Sequence, residues 1–348
     1  MKDNLKQDHP LFSIIMPVYN ADKYLKKTLD SILNQDFSDY ELIIINDAST
    51  DQSIDICNAY ANVDNRITVL NLKENCGAAE ARNQGLKNAI GRFLCFVDAD
   101  DYIDRDFLSR FYIALQEDDY DFIKCGVYEE YYDLEERLVY SKVCNLNDKI
   151  FKNKKEIIDQ IIDMEQIPLF GYLWNSVYKM KIVKENGIYF DPNLKVNEDF
   201  NFNISYLEYV KKLKCFSYRG YHYAKRNGNS LSSQSQNYDV DKHLLKIRDF
   251  LTLLKDNKDE TKENLDKVYW LFTRFTFSSL VSGTSLDAIR QNELYQKYLN
   301  YHFGSQDLKK KLLTSILQSD NALLIKLTAS FLHFVKICFP VIFAKVKR

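Results

Sequence analysis

The first hundred residues alternate short apolar runs with amphipathic segments, and this alternation limits the fold more than any other feature. The apolar runs lie at residues 12–20, 41–47, 66–71 and 92–97. Apolar residues at helical spacing fill the intervals 22–34, 49–61 and 78–90. Buried strands that alternate with helices indicate a parallel sheet covered on both faces, which is the α/β class.

Polar residues follow three of these strands at the point where each strand ends. They are Tyr19 and Asn20 after the first strand, Asp47 and Ser49 after the second, and Asp98 and Asp100 after the fourth. In open α/β sheets ligands bind outside the carboxyl ends of the strands, so we expect these side chains to line one crevice. The sequence has no glycine-rich phosphate loop, so a nucleotide bound there needs another source of positive charge.

Asp98 and Asp100 are candidate metal ligands. Residues i and i+2 of an extended segment face the same side, and two carboxylates after a buried strand need a counter-ion. Hard divalent ions such as Mn²⁺ or Mg²⁺ prefer oxygen ligands and keep positions for water and phosphate. An Asp-x-Asp pair is also an ordinary surface feature, so its position after the strand carries the prediction.

Four blocks of the sequence resemble the successive motifs of family 2 glycosyltransferases of the capsular and exopolysaccharide type. They are Ser-Ile-Ile-Met-Pro-Val-Tyr-Asn at 13–20, Glu-Leu-Ile-Ile-Ile-Asn-Asp-Ala-Ser-Thr-Asp at 41–51, Asn-Cys-Gly-Ala-Ala-Glu-Ala-Arg-Asn-Gln-Gly at 75–85 and Phe-Val-Asp-Ala-Asp-Asp at 96–101. The resemblance extends over about residues 10–230. It implies the GT-A fold, a Rossmann-like domain for nucleotide-diphospho-sugars.

The resemblance also implies roles for individual residues in binding a UDP-sugar. Uracil recognition falls on Asp47, the pyrophosphate on Arg82, and ribose and metal on Asp98 and Asp100. The nucleotide site also takes in three residues of the first block, Pro17, Tyr19 and Asn20. Ala48 stands where the family usually has Gly, which implies a less permissive backbone there.

From the residues alone, two of these positions have simpler interpretations. Asp47 also suits a cap for the helix entered at Ser49. Arg82 also suits a solvated helix residue that pairs with Glu80 or with Asp residues elsewhere. Both alternatives stay open at this point.

Glu198 and Asp199 resemble the family's Glu-Asp motif, which opens a helix facing the donor sugar. An inverting transfer needs one carboxylate to accept the proton of the attacking hydroxyl. We assign that base to Asp199, with Glu198 orienting the acceptor or holding Asp199, and the reverse assignment stays open. The alternative is that both residues only favour a helix N-terminus through its dipole.

Residues 221–232 resemble the segment that closes the same domain. Lys225, Arg226, Ser230 and Ser232 offer two cations and two hydroxyls to a pyrophosphate, and we assign Arg226 and Ser230 to the cofactor site. His222 is a candidate third metal ligand, with a structural role as the alternative. Trp174 suits either stacking on a sugar or packing in the core.

The C-terminal part of the chain has helical periodicity throughout. We therefore divide the chain into a tail at 1–9, a GT-A catalytic domain at 10–236 and an all-α region at 237–348. Residues 305–348 hold eight basic and two acidic residues, a local net charge of +6. The last helix places Leu323, Leu327, Phe331 and Phe334 on one side, which predicts binding to an anionic membrane surface. Packing onto the catalytic domain or a second subunit is the alternative, and the oligomeric state stays open.

Composition excludes several classes of protein and partner. A net charge of −2 argues against nucleic acid as a partner. Seven cysteines without C-x-x-C spacing indicate reduced thiols in a cytoplasmic protein and no zinc site. The polar residues 1–9 predict no signal peptide, and charged residues and Pro340 interrupt the most apolar window, 323–346, so we expect no membrane-spanning helix.

These observations predict a metal-dependent, inverting glycosyltransferase. It would move a hexose from a UDP-sugar to a hydroxyl of a growing, lipid-linked surface glycan at the inner face of the plasma membrane. A nucleotidyltransferase is one alternative, but it would be expected to carry a glycine-rich phosphate loop. A non-catalytic nucleotide- or sugar-binding module is another, and it would be expected to lack Asp98, Asp100 or Asp199.

Overall fold

The chain divides into two compact units in the computed structural model, which describes residues 9–194, 196–226, 240–304 and 307–338. The first unit takes Met1–Lys154 and Leu169–Ser230, and the second takes Lys155–Pro168 and Leu231–Arg348. The predicted division at residue 237 stays a prediction. The structure also assigns a segment from the middle of the chain, Lys155–Pro168, to the second unit.

The strands of the described residues lie in the first unit and form two sheets. Their bounds are β1 (Phe12–Val18), β2 (Tyr40–Asn46), β3 (Ile67–Asn71), β4 (Phe93–Phe96), β5 (Tyr102–Ile103), β6 (Phe122–Cys125), β7 (Val127–Tyr132), β8 (Leu138–Cys144), β9 (Lys149–Phe151), β10 (Ser176–Lys179), β11 (Leu213–Phe216) and β12 (Tyr221–Arg226). The large sheet has the order β3-β2-β1-β4-β10-β6-β11-β9, and the small one has the order β5-β12-β7-β8. The architecture is therefore α/β, as predicted.

The helices up to residue 226 include those predicted at 22–34, 49–61 and 78–90 and the one expected to begin at the Glu-Asp motif. They are α1 (Asp22–Leu33), α2 (Ser53–Ala61), α3 (Ala78–Asn88), α4 (Phe107–Glu117), α5 (Lys154–Gln166), α6 (Met180–Glu185) and α7 (Glu198–Leu207). Helix α3 lies close against the large sheet because Gly85 has no side chain. A Cβ at Gly85 would lie 2.5 Å from Ile15 Cγ2 on β1. This close approach brings the preceding turn of α3 to the edge of the sheet.

The prediction of a parallel sheet is correct for the strands of the first hundred residues, and the rest of the large sheet is mixed, since β11 pairs in parallel with β6. Strand β1 pairs in parallel with β2 and β4, and β2 pairs in parallel with β3. Strand β10 then pairs antiparallel with both β4 and β6, and β9 pairs antiparallel with β11. No crossover helix joins β4 directly to β10, so its direction is not fixed by a βαβ unit.

The pattern of residues 121–133 and 137–143 predicts a hairpin with its turn at 133–136. The hairpin is present, but the strand that leads into it is divided in two. Strands β7 and β8 pair antiparallel on either side of the turn at 133–136. The predicted strand at 121–133 breaks at Gly126, so β6 joins the large sheet and β7 the small one. A Cβ at Gly126 would lie 2.6 Å from the carbonyl oxygen of Cys144, which explains why a glycine occupies the crossing point.

The second unit is helical in its described part, as predicted for the C-terminal region. Besides α5 its helices are α8 (Val240–Asp256), α9 (Lys262–Val281), α10 (Leu286–Arg290), α11 (Glu293–Leu299), α12 (Leu308–Gln318) and α13 (Ala322–Cys338). Helical periodicity over 287–301 predicts one helix, but the structure has two. Gln291 is the C-cap of α10, and Asn292 caps α11 by accepting a hydrogen bond from the backbone N–H of Leu294.

Helix α13 has both buried and exposed apolar residues. Ile325 and Ala329 are buried, whereas Leu323, Leu327 and Phe331 are more than half exposed. Within the described residues, none of the helices combines the length and the apolar character that crossing a bilayer requires.

Candidate active site

One buried arginine connects the end of a strand to the start of a helix. Arg82 lies on α3, one turn before the close contact of Gly85 with β1. Its Nη2 donates a hydrogen bond to Asp98 Oδ1 at 3.1 Å, just after β4. Its Nη1 donates to Asp199 Oδ1 at 2.9 Å and to Glu198 Oε1 at 3.2 Å, in the first turn of α7. The predicted Asp-x-Asp and Glu-Asp motifs therefore meet at a single guanidinium group.

The charge of Arg82 is secured by its acidic partners. Burial alone would lower the pKa of Arg82, but Asp199, Asp98 and Glu198 raise it, so the side chain stays cationic. Only 6% of the side chain is exposed. The alternative of a solvated helix residue is therefore wrong, although Arg82 does pair with distant Asp residues.

A second network holds the loop that carries the aspartates. The backbone N–H of Asp98 donates to the hydroxyl of Tyr221 at 3.1 Å, and this hydroxyl donates to Asp101 Oδ2 at 2.8 Å. The other oxygen of Asp101 accepts from the backbone N–H of Ala224 at 2.8 Å. Burial, with the charges of Asp100 and Asp98, raises the pKa of Asp101 well above its usual range. Asp101 is thus a buried anchor of this loop.

Asp100 faces a different arginine from its neighbour Asp98. Arg226 Nη1 donates to the carbonyl oxygen of Asp100 at 2.8 Å and lies 3.4 Å from its carboxylate. The Asp100 side chain is 47% exposed by area but lies deep enough to lose surrounding water. This desolvation and the charge of Asp98 raise the pKa of Asp100 to about 6, while Arg226 opposes the shift.

The two aspartates suit a hard divalent cation whose remaining coordination positions are filled by other ligands. Their carboxylates are close enough for the charge of Asp98 to affect the pKa of Asp100. The described residues contain no group of three or more His, Cys, Asp or Glu side chains arranged to hold a metal. An ion at this pair would therefore need water and substrate oxygens as well, which is the usual situation for Mg²⁺.

His222 is engaged in the small sheet. Its Nδ1 lies 2.9 Å from Glu130 Oε1, and its Nε2 lies 3.0 Å from Asp104 Oδ1. Its ring stacks between those of Tyr102 and Tyr128, with centroids 4.3 and 4.9 Å away. Both ring nitrogens are occupied by these carboxylates, so the geometry gives no support to His222 as a third metal ligand and favours the structural alternative.

Asp47 fastens the loop that leads into α3. Its two carboxylate oxygens accept hydrogen bonds from the backbone N–H groups of Cys76, at 2.7 Å, and Gly77, at 2.8 Å. The helix after Ser49 begins only at Ser53, so Asp47 does not act as its cap. The implied contact of Asp47 with uracil stays a prediction.

Hydrogen bonds connect the loops that follow β1 and β2. Asn20 donates its backbone N–H to Ser49 Oγ at 3.1 Å and accepts from the N–H of Thr50 at 2.8 Å. Pro17 lies opposite Ile45 at the paired ends of the two strands. Tyr19 is 47% exposed, at the same edge of the sheet as the aspartates.

Ala48 has a backbone conformation that glycine adopts more easily. Its φ of +53° lies in the left-handed region, which disfavours residues with a Cβ. The glycine usual at this family position thus has a structural reason. In this chain Ala48 adopts the same kind of turn at some conformational cost.

The remaining predicted residues are only partly brought to the site. Trp174 is buried and stacks between Tyr172 and Tyr221, with centroids 4.4 and 4.3 Å away, so the core-packing alternative is correct. Lys225 pairs with Glu129 of the small sheet at 2.9 Å. Ser230 and Ser232 lie outside the described residues.

The site contains several residues that the sequence analysis did not identify. Tyr221 and Asp101 hold the aspartate loop, and Glu136 and Tyr24 contact Arg226. The third acidic residue in the run Asp98-Ala-Asp-Asp was an available signal for Asp101. The other contacts join residues far apart in the sequence and leave no local pattern.

Comparison with known proteins supports a single family. The model described as Glycosyl transferase family 2 matches residues 13–185. An uncharacterized glycosyltransferase of Haemophilus influenzae is 31% identical over 64% of this chain and 82% of its own length. The uncharacterized glycosyltransferase EpsJ of Bacillus subtilis is 31% identical over 68% of this chain and 67% of its own length.

A larger relative has a solved structure. The poly(ribitol-phosphate) beta-N-acetylglucosaminyltransferase TarS of Staphylococcus aureus is 30% identical over 64% of this chain, which spans only 37% of the TarS protein. The crystal structure of TarS 1–349 in complex with UDP-GlcNAc covers 90% of both chains with a TM-score of 0.65 and 24% identity. This likeness shows the fold that the two chains share.

We predict that Arg82 is a major determinant of stability. Arg82→Gln leaves three carboxylates close together without their shared cation, which should lower the free energy of unfolding by about 3–5 kcal/mol. Arg66→Gln is the matched control, because Arg66 pairs with Asp64 in a more exposed loop and should cost about 1 kcal/mol or less. Equal losses for the two variants in chemical denaturation would contradict the role given to Arg82.

Proposed function

This chain belongs to glycosyl transferase family 2, and from that premise we propose that it transfers a hexose from a UDP-sugar to a hydroxyl group of a growing glycan. The observation that carries the proposal is the position of Arg82. It holds the carboxylate expected at the donor ribose and metal, Asp98, together with the carboxylate pair Glu198 and Asp199. The residues proposed to activate the donor and those proposed to activate the acceptor then lie in one crevice.

The proposed mechanism is a single displacement with inversion at the anomeric carbon. The acceptor hydroxyl attacks this carbon, Asp199 accepts the hydroxyl proton, and the bond to the UDP oxygen breaks. Asp199 lies in the first turn of α7, and 22% of its side chain is exposed, so an acceptor can reach it. Arg82 fixes its Oδ1, and Glu198 is held by the same guanidinium as the orienting neighbour.

The departing UDP needs compensation of its negative charge and no proton. Asp98 and Asp100 are the residues proposed to hold Mn²⁺ or Mg²⁺, which when bound supplies positive charge to the pyrophosphate. Arg226 lies beside Asp100 and adds a fixed cation from the protein. Pro17, Tyr19, Asn20 and Asp47 line the same edge of the sheet and are proposed to receive the nucleoside.

The choice of donor and acceptor class rests on relatives. TarS has been crystallised with UDP-GlcNAc, and by name it glycosylates poly(ribitol-phosphate). A UDP-sugar donor and a surface glycan acceptor, carried on a lipid, are therefore the proposed substrates of this chain.

We propose that the protein is cytoplasmic and attaches to the inner face of the membrane through its last helices. Leu323, Leu327, Phe331 and Phe334 form the outward row of α13, and each is more than half exposed. Residues 305–348 carry a net charge of +6, which suits an anionic lipid surface. A second copy of the chain would bring the same positive charge, so the charge favours lipid over self-association.

The metal proposal predicts that Asp100→Asn greatly weakens catalysis. This substitution keeps the shape of the side chain and removes its charge, so kcat/KM for the UDP-sugar should fall by orders of magnitude. UDP release should also require Mn²⁺ or Mg²⁺ in the unaltered protein. Full activity in the presence of EDTA would contradict the metal site at Asp98 and Asp100.

If Asp199 is the general base, its substitution should impair sugar transfer without impairing binding of the UDP-sugar. Asp199→Asn should still bind the UDP-sugar but should lose about 10²–10⁴-fold in kcat, the usual scale for a positioned general base. The comparison variant is Glu198→Gln, which should retain more activity. If Glu198→Gln abolishes transfer while Asp199→Asn does not, the two roles are reversed.

The membrane proposal predicts that the outward row of α13 drives binding to vesicles. Leu327→Ser with Phe331→Ser should reduce binding to phosphatidylglycerol vesicles at least about tenfold, because burying each side chain contributes roughly 1.5–3 kcal/mol. High salt should weaken binding only in part, since the apolar contribution is not screened.

The control for vesicle binding is Val63→Ser, which removes an exposed apolar side chain from the first unit. It should leave binding unchanged. Unchanged vesicle binding by the double variant, or a change in its oligomeric state instead, would show that α13 docks on protein.

A further inference from the structure

The guanidinium group of Arg226 is held by a residue at the tip of the β7–β8 hairpin. Glu136 Oε2 accepts a hydrogen bond from Arg226 Nε at 2.9 Å. Glu136 Oε1 accepts another from the hydroxyl of Tyr24, on α1, at 2.9 Å. The ring of Tyr24 lies under the guanidinium, with 3.8 Å between the ring centroid and Cζ of Arg226.

These contacts fix Arg226 beside the candidate metal site. Its Nη1 donates to the carbonyl oxygen of Asp100 at 2.8 Å, so the guanidinium is held at opposite ends by Asp100 and Glu136. Only 9% of the Arg226 side chain is exposed. The same residues line a pocket of about 380 Å³ that opens between α1, the aspartate loop and the hairpin tip.

We propose that Glu136 is a positioning residue that presents Arg226 to the pyrophosphate of the donor. This inference rests on the proposed function, because it requires a nucleotide-diphosphate donor. A long arginine side chain that is free to rotate loses entropy on binding a ligand, whereas one already held in place does not. Glu136 would thus make the hairpin part of the donor site, although it lies 90 residues from Arg226 in the sequence.

Two possible roles of Glu136, repulsion of the donor by its charge and positioning of Arg226, predict opposite effects of its substitution on UDP affinity. The proposal is therefore testable. Glu136 is an anion near a site proposed to receive an anionic pyrophosphate. If it acted through its charge alone, Glu136→Gln would remove a repulsion and tighten UDP binding. If it positions Arg226, the same substitution replaces a charge-assisted hydrogen bond with a weaker one and loosens UDP binding.

The first experiment measures UDP affinity by calorimetry in the presence of MnCl₂. We expect Glu136→Gln to weaken UDP binding about tenfold, the scale of one lost charge-assisted hydrogen bond. Glu135→Gln is the matched control, because Glu135 is the adjacent residue, is 71% exposed and pairs with Arg137. The control should bind UDP within about twofold of the unaltered protein, as exposed ion pairs contribute little.

A double-substitution cycle tests whether Glu136 acts through Arg226. If it does, Glu136→Gln should add little to the loss already caused by Arg226→Lys. Independent, additive losses would overturn the proposal, and so would unchanged or tighter UDP binding by Glu136→Gln alone. Failure of the unaltered protein to bind UDP would instead overturn the proposed function, and this inference with it.

Discussion

The contact of Arg82 with three carboxylates is the interaction on which the rest of the site depends. Asp98 follows a strand and Glu198 and Asp199 begin a helix about a hundred residues later, yet one guanidinium binds all three. Carboxylates gathered this closely repel each other unless a cation lies among them. Burying that cation is itself costly, so the arrangement is stable only as a complete set.

The fold places this arginine through packing that has little to do with charge. Gly85 allows α3 to lie against β1, and Arg82 sits one turn earlier on the same helix. Asp47 fastens the loop before α3, while Tyr221 and Asp101 fasten the loop of Asp98. The proposed donor site is thus built from several rigid connections between strand ends, which is how open α/β sheets position their ligands.

The sequence predicted the strands, the helices and the site motifs better than it predicted which distant residues contact them. Continuous apolar runs identified β1 to β4, and the Glu-Asp motif identified the start of α7. The antiparallel direction of β10, the contacts of His222 in the small sheet and the burial of Trp174 were not predictable in this way. Each depends on residues brought together only by tertiary packing, and no local periodicity records them.

The most direct test of the central account is the stereochemistry of donor cleavage. The proton NMR spectrum of an α-linked UDP-sugar that the protein cleaves would be followed during hydrolysis in the presence of MnCl₂. A single displacement assisted by one base on α7 predicts that the β anomer of the free sugar forms first, before mutarotation mixes the two. First formation of the α anomer would contradict the account, because retention requires a second nucleophile or a different mechanism.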